Sequence, residues 1–227
     1  MGKITLKPTE NQNFILLGGN FQATLDQAHN LESEGDFEGA CRTRYYAFQN
    51  IVEVLPEDEG VELDFSHPNT RSAIELIYAS SVDNFLTGDA ELAAAQLELL
   101  LECDPEDHFE SVNLLALCYI ATEEWEAFDD LVIDLTDKSA EAVIARLWAS
   151  FERDGGLDRE LLKLLRTRHK HYYEELIADE HPDDEVFRHD IASDRPTPSA
   201  EAREWWLLTE PLWGEFPEFV YKLKSEK

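Results

Sequence analysis

Basic residues are scarce in this chain. Only 19 Lys and Arg stand against 49 Asp and Glu in 227 residues, a formal net charge of −30. A protein that grips phosphate backbones needs a cationic face, so direct nucleic-acid binding is not expected. The same sign opposes an anionic membrane surface. Cysteine is nearly lacking: Cys41, Cys103 and Cys118 make an odd count without C-x-x-C spacing. That argues against a disulfide framework or a structural zinc site. Each lies in a helical-looking stretch and reads as a small buried hydrophobe rather than a nucleophile. Long apolar runs are missing too. No stretch approaches the roughly 18 residues of a membrane span, and Phe14–Leu17 is too short for a secretory core. Met1-Gly2 lacks the Ser or Thr of a myristoylation motif, since the sixth residue is Leu6. The expectation is a soluble cytoplasmic protein.

What is present can build a core. Hydrophobic residues make up 43% and aromatic residues 11%, with only 9 Pro and 10 Gly, which is not the composition of a disordered chain. Residues 1–20, with Pro8 and Gly18-Gly19, read as a loose leader. From Phe21 to Glu34 the apolar positions recur at intervals of three and four, the helical period. Gly35-Asp36 breaks that run, and a second runs from Phe37 to Leu55, stopped at Pro56. Further helices read from about Thr70 to Leu86 and from Ala90 to Glu102. No segment alternates with a period of two long enough to predict a strand, so the predicted class is all-α.

The breaks recur. Gly-Asp stands at 35–36 and 88–89, Glu123-Glu124 takes the equivalent place before Trp125, and Gly155-Gly156 comes last. The later spacings fall near the 34-residue period of helix–turn–helix repeats. Small and large residues alternate as close-packed helix pairs require: Ala28, Gly35 and Ala40 in a first unit; Gly88, Ala93 and Leu97 in a second; Leu115, Ala116 and Tyr119 in a third; Trp148, Ala149 and Gly156 in a fourth. On these residues the chain resembles tetratricopeptide-like (TPR-like) repeat proteins over about residues 21–178. Together with its Trp-rich tail, it also resembles uncharacterised bacterial repeat proteins. The resemblance implies a right-handed superhelical solenoid whose concave surface binds a partner.

From residue 179 the character changes. Two proline-broken acidic loops precede Ser199, which reads as an N-cap, and a final segment holding Trp205, Trp206, Trp213, Phe216, Phe219 and Tyr221. A solenoid needs an end cap, so residues 179–227 are expected to be loop and Trp-rich capping helix. The alternative use of these aromatics is an exposed partner surface.

Motifs for chemistry are few. There is no P-loop, dinucleotide fingerprint, nucleophile elbow or H-E-x-x-H. His169 and His171 point about 200° apart on a helix and do not readily share an ion. The acidic loop Glu57–Asp64 lacks the ligand order of an EF-hand. No catalytic residue, metal site or cofactor is assigned.

Charge is uneven. Ser72–Asp137 holds 17 Asp or Glu and no Lys or Arg, whereas residues 138–173 hold eight basic and five acidic residues. A solvated or salt-adapted surface accounts for this. So does an anionic groove for a basic partner. The functional expectation is a non-enzymatic scaffold binding a basic protein or peptide on its concave face, with Asp83, Asn84 and Asn113 as candidate contacts. An acidic inhibitor, antitoxin-like or nucleic-acid-mimicking protein is the alternative, and a metal-dependent hydrolase using the His-rich tail a third. The sequence sets no oligomeric state.

Overall fold

The computed structural model describes residues 2–56, 60–133 and 135–226. Among them the protein is all-helical except for one small hairpin. Part of the acidic loop, residues 57–59, and Asp134 lie outside the described residues. The chain divides into two compact units. One comprises Met1–Phe85 with Asp89–Thr122, the other Leu86–Gly88 with Glu123–Lys227. The division falls inside the predicted repeat region, and the tail belongs to the second unit.

In the first unit, residues 1–20 are not the loose leader that their sequence suggests. Strands β1 (Thr5–Pro8) and β2 (Phe14–Leu17) pair antiparallel, Thr5 opposite Leu17 and Pro8 opposite Phe14. Four-residue strands are too short to declare a period, so nothing in the pattern exposed them. The hairpin is held by the start of a later helix, α3 (Pro68–Leu86). Leu16 is fully buried and its N–H donates to Thr70 Oγ1 at 3.0 Å, while Asn69 Nδ2 donates to the carbonyls of Leu16 and Gly18. Both polar residues sit in the first turn of α3.

Helices α1 (Phe21–Ser33) and α2 (Phe37–Val52) form a hairpin around Gly35 at φ 83°. Asp36 caps α2 by accepting the Gly39 N–H. Gly88 at φ 81° and Asp89, which caps α4 (Ala90–Cys103) through the Leu92 N–H, repeat this turn. Asp36 and Asp89 share the same backbone angles, φ −89° and ψ 68°. The third predicted break has this shape with no glycine: Glu123 is at φ 59° and Glu124 at −80°, 65°. The Gly-Asp spacing therefore marks one recurring backbone turn. Helix α4 packs on α5 (Ser111–Ala121), and Ala28, Ala40, Ala93, Leu97, Leu115, Ala116 and Tyr119 are all buried.

In the second unit α6 (Trp125–Val132) precedes α7 (Ala140–Asp154), α8 (Arg159–Arg168) and α9 (Lys170–Ile177). Gly155, at φ 67°, ends α7, and Gly156 is half-buried behind it. The region expected to be loop contains α10 (Glu185–Ile191), and the aromatic segment is two helices, α11 (Pro198–Glu215) and α12 (Pro217–Ser225). Thr197, not Ser199, caps α11: its Oγ1 accepts the Ala200 N–H, and Pro198 fills the first helical position. The tail closes over Trp148, which is fully buried beside Ala149. Trp213 and Phe216 meet its ring edge-on, each with centroids 5.2 Å away, and Phe219 lies at 6.5 Å. Edge-to-face packing suits the aromatic quadrupole.

Candidate functional site

The residues expected to contact a partner are placed differently from one another. Asp83 is buried, and its carboxylate takes two hydrogen bonds from Arg44, Nε at 2.6 Å and Nη2 at 2.7 Å. Arg44 also reaches Glu32 at 2.7 Å, so one guanidinium ties α1, α2 and α3 together. Burial disfavours its charge, but Asp83 and then Glu32 outweigh that and raise its pKa. Asn84 donates to Gln96 Oε1 at 2.6 Å and to the Ser80 carbonyl, while Gln96 donates to Ser80 Oγ. These α3 polar groups hold the first unit's own helices together. Asn113 sits on a different helix, in the first turn of α5, and is half-buried there.

A cleft of about 380 Å³ lies elsewhere in the first unit, where three segments converge. The strand-like segment 61–65 runs beside β2: Phe14 N–H donates to the Glu62 carbonyl and Asp64 N–H to that of Phe14. Leu63 N–H donates to Cys103 O, which ties the segment to the end of α4. Those bonds fix Phe65 at the surface. The turn after α4 then sets His108 against it, ring centroids 3.7 Å apart and planes 4° from parallel.

Asp104 holds that imidazole. It is buried at the end of α4 and accepts both the His108 backbone N–H at 2.9 Å and Nδ1 at 2.7 Å. A carboxylate cannot donate, so Nδ1 carries the proton. Glu106 approaches the other nitrogen at 3.4 Å. Arg71 completes the platform, donating from Nε to the Phe65 carbonyl and standing 5.0 Å from the ring centre. Glu62 and Asp64 line the same cleft. Four carboxylates thus surround one guanidinium and one imidazole. Ser66 Oγ donates to Asp64 at 2.6 Å within the same cleft.

The three cysteine thiols are all shifted away from the thiolate. Burial pushes the Cys103 and Cys118 thiols up to about 12, and Cys41 is also raised, by burial and then by Asp83. Such thiols stay protonated at neutral pH. Among the described residues no three His, Cys, Asp or Glu side chains converge as a metal ion would require. His169 and His171 have separate partners, the Asp137 carbonyl and Glu174.

The second unit holds a buried polar cluster that sequence reading missed. Glu175 on α9 accepts from Arg203 at 2.8 and 3.2 Å and from His181 Nδ1 at 2.9 Å. Burial alone would raise its pKa, but the hydrogen bonds and charges of Arg203 and His181 hold it below the ordinary glutamate range. His181 stacks on Trp206, centroids 4.2 Å apart. The three residues are 175, 181 and 203, a separation no local motif reveals. No helix among the described residues is long and apolar enough to cross a membrane. Comparison with known protein families, curated proteins and solved structures finds no match to this chain.

Proposed function

We propose that the protein is a non-catalytic binding protein for a basic protein segment, built from TPR-like helical hairpins. The recurring turn at Gly35-Asp36, Gly88-Asp89 and Glu123-Glu124 supports the repeat part of this reading. The observation that carries the binding part is the first-unit cleft. It sets the carboxylates of Glu62, Asp64 and Glu106 around a stacked aromatic platform. Cations are attracted both to carboxylates and to ring faces within about 6 Å. Arg71 already stands against Phe65 in that manner, an internal example of the group the cleft would receive from outside. The charge of the central segment favours the same partner: Ser72–Asp137 holds 17 Asp or Glu and no Lys or Arg.

Titration calorimetry with a capped hexalysine peptide tests the proposal. Saturable binding should weaken at least tenfold between 50 and 500 mM NaCl, because exposed charge pairs are screened at the higher ionic strength. Glu62→Lys combined with Glu106→Lys should abolish it while leaving the helical circular dichroism unchanged. Affinity that ignores both salt and this double variant overturns the reading.

A further inference from the structure

We infer that a cavity of about 410 Å³ in the second unit is a binding site for a small, flat, neutral carboxamide. The site belongs to a different unit from the acidic cleft and does not rest on a basic partner. Its size falls within the range of about 300–1,000 Å³ over which proteins take small molecules. Trp206, Trp213 and Val220 give it apolar walls, while Asp179, Glu210 and Lys224 line it with charge.

One donor at this cavity lacks a partner. Trp206 is 7% exposed, and its buried Nε1–H finds no acceptor among the described residues. The other two buried tryptophans are satisfied within about one helical turn. Trp148 Nε1 donates to Glu152 at 2.8 Å, and Trp213 Nε1 to Thr209 Oγ1 at 2.9 Å. Glu210 follows Trp206 at the same spacing as Glu152 follows Trp148, yet it is exposed and leaves the indole unpaired. Nor is the ring free to turn towards an acceptor. His181 stacks on it, centroids 4.2 Å apart and planes 21° from parallel, and Glu175 holds that imidazole through Nδ1 at 2.9 Å.

A buried donor without an acceptor calls for an explanation, and its sign selects the ligand. Ammonium and guanidinium groups only donate, so neither answers it. A carboxylate would accept, but Asp179 and Glu210 line the same cavity, and Lys224 Nζ is already bonded to Asp179 at 3.0 Å. A neutral carbonyl accepts without that repulsion. Helix positions four apart share a face, which puts Glu210 beside the unpaired donor. A primary amide can therefore give its carbonyl to Trp206 and its N–H to the Glu210 carboxylate. Its flat apolar body then lies along Trp213 and Val220, and burial of that body draws the carbonyl in. Because Nε1 is shielded from solvent, water is a poor rival for the bond.

Benzamide is the probe, titrated into the full chain and followed at the indole Nε1–H signals of a nitrogen–proton correlation spectrum. Trp206→Phe identifies the Trp206 signal. That proton should move downfield to saturation as its hydrogen bond forms. Benzylamine, which only donates, and benzoate, which is charged, should each bind about tenfold more weakly or worse, the loss expected for one hydrogen bond at a buried group. Glu210→Ala, at an exposed position, should weaken benzamide about threefold or more and leave acetophenone, which has no amide N–H, unchanged. A Trp206 signal that stays in place up to the solubility limit of benzamide overturns the site. Equal binding of benzylamine overturns the role of the indole donor, and equal binding of benzoate overturns the neutral class. Benzamide affinity that ignores Glu210→Ala overturns the assignment to a carboxamide.

Discussion

At the scale of the residue, the placement of Asp83 changes what its replacement would do. A contact residue on a binding face can be removed with loss of affinity and little loss of stability. Asp83 instead neutralises Arg44, whose side chain is 10% exposed. Breaking a buried pair by deleting one member leaves the other charge uncompensated, at a cost of about 3–5 kcal/mol. Asp83→Ala should therefore lower the unfolding free energy measured by urea denaturation by an amount in that range. A change below about 1 kcal/mol would mean that Arg44 finds water or Glu32 sufficient. Glu175 gives a pH-dependent counterpart. Its pKa in the folded protein lies below the unfolded value, so its stabilisation is complete above the unfolded glutamate pKa of about 4.3 and is lost as pH falls through the lower folded value. The stability gap between the native chain and Glu175→Gln should shrink as pH falls below about 4. A gap that widened below about pH 4 would contradict the sign of the shift.

Elements show where the sequence was legible. Helix periodicity located α1, α2, α3 and α4 to within a few residues, because each buries one side over several turns and the pattern repeats before it ends. The Gly-Asp pairs pointed to turns, and the structure gives those turns common backbone angles. The hairpin Thr5–Leu17 escaped because its strands are too short to alternate and are held by Asn69 and Thr70, some fifty residues away. Helix α10 hid between two proline-broken loops for the same want of length. Both clefts were illegible for a related reason. Phe65 meets His108, and Glu175 meets Arg203, only after the helices between them have packed.

The degenerate third turn yields a test of the repeat itself. Glu123 occupies a left-handed conformation that costs an L residue about 1–2 kcal/mol, and Glu124 makes no side-chain cap where Asp36 and Asp89 do. Restoring the sequence of the other turns, Glu123→Gly with Glu124→Asp, should stabilise the protein by about 1 kcal/mol or more after glycine's greater chain entropy is subtracted. Equilibrium urea denaturation measures it. A destabilised double variant would show that the three turns share angles without sharing their energetics.

For the whole molecule, charge acts on stability and on binding with opposite signs. With 49 acidic and 19 basic residues, like-charge repulsion within the folded chain exceeds what its ion pairs recover. Several of those pairs, such as Arg42 with Glu38 and Lys170 with Glu174, are exposed and contribute little each. Added salt screens repulsion and exposed pairs alike over about 10 Å at 0.1 M, and since repulsive terms are more numerous, the net effect is stabilising. The midpoint of thermal unfolding should therefore rise between 20 and 500 mM NaCl, while the affinity for hexalysine falls over the same interval. A chain whose acidity served only solubility would show the first trend without the second. A falling midpoint would show that attractive pairs dominate, and that the negative surface has its compensating cations better placed than the ion pairs among the described residues imply.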